Sequence, residues 1–572
     1  MTDRAIGPAT QAPPAQIEPK YAAGQKVAVS GIIDDGLAIG HQRFRRKNKT
    51  RVEYFWMQDG SPLPDQLPTY GREICRDDRN SSGGMIRGLD GMLQDCTVAG
   101  LVDEDMLMRG AGLIDYGSSD RRVVGRRASH GTHVMDTVCG DDPATVSNRR
   151  PIIAVQLPWT VVSRPANPHL RPDVIEAMLY ILSRAESLGS KLPVAINLSY
   201  GLYAGPHDGT DPLEAKMQEI IAARRAVAPL SVTLPSGNSH LLRCHARFRL
   251  GPKSSSQRLH WRVAPDGLTV SILQIWLPHP GNVAPRVTVT VTTPGGDSSQ
   301  SVTEGATSEL VAGGAVIGRV RYFSAQETGT RAMIMIALAP TASNGSPPWP
   351  IAPSGAWLID IANAGSAAID AIDAWIERGD TPAGYPRRGR QSRFEDDLYV
   401  YRDDTGRAVE VDNASVIKRE GSINAFATGA ETVVLGGVRR SDLAAARYSA
   451  GGPIVPRIGG APPPRTGNDP DAMAVTDDSP ACRGIRAAGT RSGSSVMMDG
   501  TSVAAAQLTR EIADWLGAGV TLNPRTVIQA LAWAQESNPP PRPQAPGADR
   551  GGAGRIVLPL TIRVKRVDES PF

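Results

Sequence analysis

Gly500-Thr501-Ser502-Val503-Ala504-Ala505-Ala506 is the stretch from which this chain is read. A serine stands between a Gly-Thr pair and a run of small residues. Beyond it Val503, Ala506, Ile512, Trp515 and Leu516 recur at the spacing of one helix face, which predicts an amphipathic helix with Ser502 in its first turn. Free backbone N–H groups and the positive end of the helix dipole meet there. A nucleophile attacking a carbonyl from that place would find its oxyanion stabilised. Small residues at a helix start also simply permit close packing, so the block needs partners elsewhere.

Two other segments supply them. Ser129-His130-Gly131-Thr132-His133-Val134 puts a histidine at another turn into a helix. Ile32-Ile33-Asp34-Asp35-Gly36 puts an acid at the end of the apolar run Val27 to Ile33, which reads as a buried strand. An acid, a base and a nucleophile therefore follow one another in the order Asp, His, Ser.

With these blocks the chain resembles the subtilisin-like serine peptidases, the subtilases. A fourth block, Leu234-Pro235-Ser236-Gly237-Asn238, resembles the Gly-Asn oxyanion segment of that family, and a fifth, Ala195 to Gly201, its substrate-pairing strand. The resemblance implies Ser502 as nucleophile, His130 as general base, Asp34 as the group that orients the imidazole, and Asn238 as side-chain donor to the oxyanion. It implies that Ser199, Tyr200, Gly201 and Gly237 bind the substrate backbone, and that His133 is structural. Asp35 stands where the family carries Ser or Thr, and reads as a solvated or capping carboxylate. Ala506 and Gln507 replace the usual Pro and His, and Pro235 and Ser236 the usual small pair, which leaves substrate preference open. No cofactor is required by this chemistry. Family members often hold structural calcium, but no clustered acidic loop assigns one here, and the metal set is none.

Composition agrees. A hydrophobic content of 41% over 572 residues suits a globular chain of more than one domain. A net charge of +4 gives no argument for nucleic acid, and the basic runs His41 to Arg51 and Arg121 to Arg127 read as solvated loops. No run of about twenty apolar residues appears, so no membrane partner is expected. The partner expected is a protein or peptide substrate, with a regulatory protein as a further candidate. Met1 to Gln25 lacks the pattern of a secretory signal, Asp34 comes too early for a folded propeptide, and the cysteines are five, with no close pair. These features favour a cytoplasmic location.

Helical stripes alternating with short apolar strands (Val174 to Leu182, Val194 to Leu198, Leu213 to Ile221, Ser231 to Leu234) predict an α/β core: a subtilisin-like parallel sheet flanked by helices. From His245 to Ile361 the texture turns to alternating strands between Gly, Pro and Ser clusters, the signature of an inserted β-sandwich-like domain. The division read from the sequence is a flexible segment 1–26, a first core part 27–243 carrying an insertion at about 45–120, a β-rich insert 244–375, a second core part 376–537, and a Pro/Gly-rich linker with a terminal strand, 538–572. Met92 to Met108 reads as helical. Three functions are weighed: a serine endopeptidase working through an acyl-enzyme; a latent or partner-activated processing peptidase whose insert recognises the partner; and a catalytically dead scaffold, against which the four intact chemical groups argue.

Overall fold

The computed structural model describes residues 20–22, 25–118, 123–146, 150–164, 167–278, 285–343, 345, 350–381, 385, 388–455, 469–520, 523–537 and 547–558. The central sheet takes its strands from Val29–Asp34 (β1), Val52–Met57 (β2), Arg72–Cys75 (β3), Ile152–Gln156 (β4), Val194–Leu198 (β5), Leu230–Pro235 (β6), Val433–Arg439 (β7) and Ala472–Asp477 (β8). Their order across the sheet is β8-β7-β6-β5-β1-β4-β2-β3, and all but β3 run parallel.

The inner strands β1, β5 and β6 are buried throughout and largely apolar because both faces are covered. Ile33 in β1 packs with the helices Leu170–Leu188 and Pro212–Arg225, while Ile32 packs with His130–Cys139 on the other face. In β5, Val194 and Ile196 face the first pair and Ala195 faces the helix Thr501–Gly517. The chain winds away from β1 in both directions, so a crevice opens at its carboxyl end. Asp34 ends β1, Ser199 follows β5, and Asn238 follows β6.

The stretch 45–120 is partly sheet: β2 and β3 widen the core rather than sit upon it. Met92 to Met108 is not one helix. Leu89–Asp95 and Glu104–Gly110 are helical, and between them Thr97–Val98 pairs with Leu101–Val102. Ala99 and Gly100 take φ of 50° and 83°, the left-handed turn a tight hairpin requires, and helical periodicity cannot register it.

The insert is two antiparallel sheets, one of seven strands and one of four, closed over a single core that includes Trp261, Trp357, Ile336 and Phe394. The strand Val287–Thr292 shows the alternation plainly, with Val287, Val289 and Val291 buried and the threonines half-buried. These sheets also recruit Arg393–Glu395 and Ile417–Lys418, which pair with Ser256–Val263 and His245–Leu250. Near the carboxyl terminus, Arg550 bonds the Ser449 and Ala446 carbonyls and Glu410. Ile556 N donates to Met473 O at 2.7 Å, on the outer edge of β8. Most of 1–26, and 538–546 and 559–572 of the terminal stretch, lie outside the described residues. Among the described residues no helix is long and apolar enough to cross a membrane.

Candidate active site

The turn after β1 and the start of the His130 helix are fitted to each other. Ser129 Oγ and Thr132 Oγ1 each donate to Gly36 O at 2.6 Å, and Ala38 N donates to Thr132 Oγ1 at 3.0 Å. Gly36 has a φ of +60°, and a Cβ there would lie 2.2 Å from Ser129 Oγ. A Cβ on Gly131 would lie 1.9 Å from Asp35 O. Glycine at both positions lets helix and turn touch, which brings His130 over the end of β1.

His130 Nδ1 is 2.9 Å from Asp34 Oδ1, which also accepts Asp35 N at 2.8 Å. An ionised carboxylate only accepts, so the proton of neutral His130 sits on Nδ1 and Nε2 is left as the basic nitrogen. Burial works against the imidazolium, but the charge of Asp34 and its hydrogen bond outweigh this and raise the His130 pKa above its ordinary value. His130 keeps 28% side-chain exposure, whereas Asp34 keeps 3%. His133 is a different case: it is buried, its Nε2 lies 2.7 Å from Ile485 O, and burial lowers its pKa to about 4. Pinned neutral, it ties its helix to the hairpin in which Ile485–Ala488 pairs with Ser495–Met498.

Asp35 departs from the sequence reading of a solvated carboxylate. It is 3% exposed. Burial first, then the charge of Asp34, push its pKa up to about 7, against the charge of His130 and a hydrogen bond from Tyr385. A polar residue beside a turn gives no signal of such a covering, because Tyr385 is 350 residues away along the chain.

Ser502 is the second residue of its helix, where a backbone N–H has no partner within the helix. Its hydroxyl faces Ser199 O at 3.5 Å, and Ser199 Oγ donates back to Ser502 O at 3.3 Å. The hydroxyl is thus held by a long bond to the Ser199 carbonyl, and among the described residues no hydrogen bond joins it to His130. Gly500, with φ of +130°, makes the turn into the helix and is held by Tyr448 Oη, which accepts Gly500 N at 2.9 Å.

Asn238 is exposed and follows Gly237, whose φ is +106°. Its Oδ1 accepts Thr501 N and Thr501 Oγ1, each at 3.0 Å, and Thr501 Oγ1 in turn accepts Gly237 N at 3.1 Å. A backbone N–H can only donate, so the amide orientation is fixed: oxygen toward Thr501, Nδ2 left to donate elsewhere. Sequence reading identified Asn238 but not Thr501 as the residue that aims it. Gln507, at the family's usual histidine position, donates to Val475 O at 2.6 Å and clips the helix to β8.

Of the residues expected to bind substrate, Ser199 and Tyr200 are buried, Gly201 is half-buried, and Tyr200 carries Arg378 over its ring at 5.9 Å. Asn424 stands beside them, 1% exposed between apolar neighbours Ile423, Ala425 and Phe426. An amide in an apolar run must be satisfied by some specific partner, and that was the signal available in the sequence.

Among the described residues, two groups of three side chains bring potential ligand atoms within 4.8 Å of one another: Asp34, Asp35 and His130, and Asp477, Cys482 and Asp499. Each has two carboxylates against a nitrogen or a thiol. That donor set does not suit calcium, which takes six to eight oxygens.

No protein-family model matches the chain, and no curated protein matches it. Solved structures do. The Clostridium perfringens CspB protease is 16% identical over 94% of this chain and 94% of its own, with a TM-score of 0.61. The patellamide maturation protease PatA (11% identity, 95% and 96% coverage, TM-score 0.35) and a cold-adapted subtilisin-like serine proteinase (11%, 89% and 83%, 0.32) also match. At such identities the likeness is one of fold, and the CspB protease carries it along nearly the whole chain.

Proposed function

We propose that this chain, built on the subtilisin-like fold, is a serine endopeptidase that cleaves peptide bonds through an acyl-enzyme. The observation that carries the reading is the Asp34–His130 bond of 2.9 Å at the mouth of the crevice into which the first turn of the Ser502 helix opens. His130 Nε2 takes the Ser502 proton as Oγ attacks the scissile carbonyl, and later returns it to the leaving amine. Asp34 keeps the tautomer and stabilises the imidazolium. The oxyanion receives hydrogen bonds from Ser502 N and Asn238 Nδ2. The substrate backbone lies along Ser199 to Gly201, with Gly237 on its other side. The steps draw on these side chains alone, without a cofactor. A protein or peptide is the partner that chemistry requires. The five cysteines are all free, which supports a reducing, cytoplasmic setting.

Incubation of casein with wild type and with Ser502→Ala tests the reading. Cleavage by wild type and none by Ser502→Ala is expected; cleavage surviving in the variant would contradict it.

A further inference from the structure

Strand β8 ends at Asp477, and the chain returns to the same place at Asp499, after the hairpin of Ile485–Ala488 and Ser495–Met498. The base of that hairpin is tight: a Cβ on Gly484 would lie 2.3 Å from the carbonyl carbon of Met498. Gly484 N and Asp478 N both donate to Asp477 Oδ1, at 2.9 and 2.7 Å, and fix its carboxylate. The loop between carries Cys482, exposed and with a left-handed φ of 51°. Cys482 Sγ and one carboxylate oxygen from each of Asp477 and Asp499 thereby come within 4.8 Å of one another.

The buried member of this set is what asks for a ligand. Asp477 is 1% exposed, and its Oδ2 is buried with no hydrogen-bond partner among the described residues. Arg440 is spent on Asp478, at 3.9 Å. A buried, unsatisfied carboxylate oxygen is costly, and the second carboxylate of Asp499 beside it adds repulsion. A cation held by both relieves the two costs together. The thiol selects the ion. Two carboxylates and a sulfur are too few and too soft for calcium or magnesium, whereas zinc accepts both ligand types and completes a tetrahedron with water. Zinc bonds of about 2.0–2.3 Å set tetrahedral ligands about 3.5 Å apart. Cys482 and Asp499 are exposed, so their side chains can close that distance onto the fixed Asp477.

We propose that Asp477, Cys482 and Asp499 form a zinc site, a function apart from peptide cleavage. The thiol gives its proton to solvent as the Zn–S bond forms. Asp499 stands three residues before Ser502, so the bound ion ties the turn into the Ser502 helix to the end of β8.

The test titrates the intact chain, stripped with a chelator and kept reduced without added thiols, with Co²⁺ and then Zn²⁺. One equivalent of cobalt is expected, with a thiolate-to-cobalt charge-transfer band that zinc abolishes, and zinc should raise the melting temperature. Cys482→Ala alters an exposed side chain and is expected to fold. It should lose the band and bind zinc about 10-fold or more weakly, since even residues that only support a zinc ligand matter on that scale. Asp499→Asn should weaken zinc likewise. A band or a zinc affinity unchanged in Cys482→Ala overturns the proposal, as does calcium binding as tightly as zinc. Zinc binding lost in His130→Ala but kept in Cys482→Ala would put the ion on Asp34, Asp35 and His130 and overturn it too. None of these readouts uses cleavage, so a chain without peptidase activity leaves the zinc site standing.

Discussion

Thr501 spends two donors on the oxygen of Asn238, and the amide nitrogen is thereby aimed by the chain neighbour of Ser502. If that nitrogen serves the oxyanion, it acts in the transition state and little in the ground state. Asn238→Ala should lower kcat by about 10²–10³, or about 2.7–4 kcal/mol, with KM little changed and the melting temperature close to wild type. Unchanged kcat in the folded variant would take Asn238 out of the oxyanion hole. A second expectation concerns His130. Its protonated form cannot accept the serine proton, and its pKa is raised above 6.5. Activity should therefore rise with pH through a midpoint above 6.5. Asp35 is held up to about 7 and ionises in the same range. As it gains charge it holds the proton on His130 more firmly, which broadens the limb. Asp35→Asn should sharpen the limb and move it to lower pH, as read from kcat/KM profiles. An identical profile in Asp35→Asn would show that the two groups do not communicate.

At the scale of elements, the start of the His130 helix rests on the carbonyl of Asp35 with no room for a methyl group. Gly131→Ala should push the helix back, lower the melting temperature and remove most activity. Gly110→Ala is the control: its Cβ would meet only Met92 Cε, at an ordinary 3.5 Å, and alanine suits a helix better than glycine. Equal behaviour of the two variants would contradict the tight-contact account. The same elements show what could be read without coordinates. The parallel strands were legible because burial on both faces leaves near-continuous apolar runs, and the subtilisin-like fold was legible because Asp34, His130, Asn238 and Ser502 end such runs or open helices. The Ala99-Gly100 hairpin was hidden, since positive φ leaves little trace in periodicity. Asn424 signals only that some partner must satisfy its amide, and Tyr385 gives no signal, because their partners are distant in sequence: Tyr200 and Pro235 for one and Asp35 for the other.

Across the whole molecule, the insert and the core share buried polar and aromatic contacts. Trp375 of the insert stacks on His207 of the core at 4.1 Å and on His245 at 4.8 Å, and its Nε1 donates to Gly421 O at 3.0 Å. Buried Arg331 reaches Asp208 at 3.4 Å. The two parts should therefore melt in one calorimetric transition, and Trp375→Ala should cost about 3–5 kcal/mol; two separate transitions in wild type would contradict this coupling. Asp373 adds a pH signature. Burial disfavours its charge, but bonds from His245 and Arg247 prevail and bring its pKa down to about 2. A depressed carboxyl stabilises the fold above its unfolded pKa of about 3.9, and that stability drains away as pH falls from there through the folded value. Asp373→Asn should be less stable at neutral pH and lose less between pH 4 and 2. The central claim, that Ser502 alone among the serines of the chain is an activated nucleophile, is tested most directly by labelling the intact protein with a fluorophosphonate and mapping the adduct by mass spectrometry. The account predicts one adduct, on Ser502, abolished by Ser502→Ala and by His130→Ala but retained in folded His133→Ala. An adduct on another serine, or labelling that survives in Ser502→Ala, would contradict it.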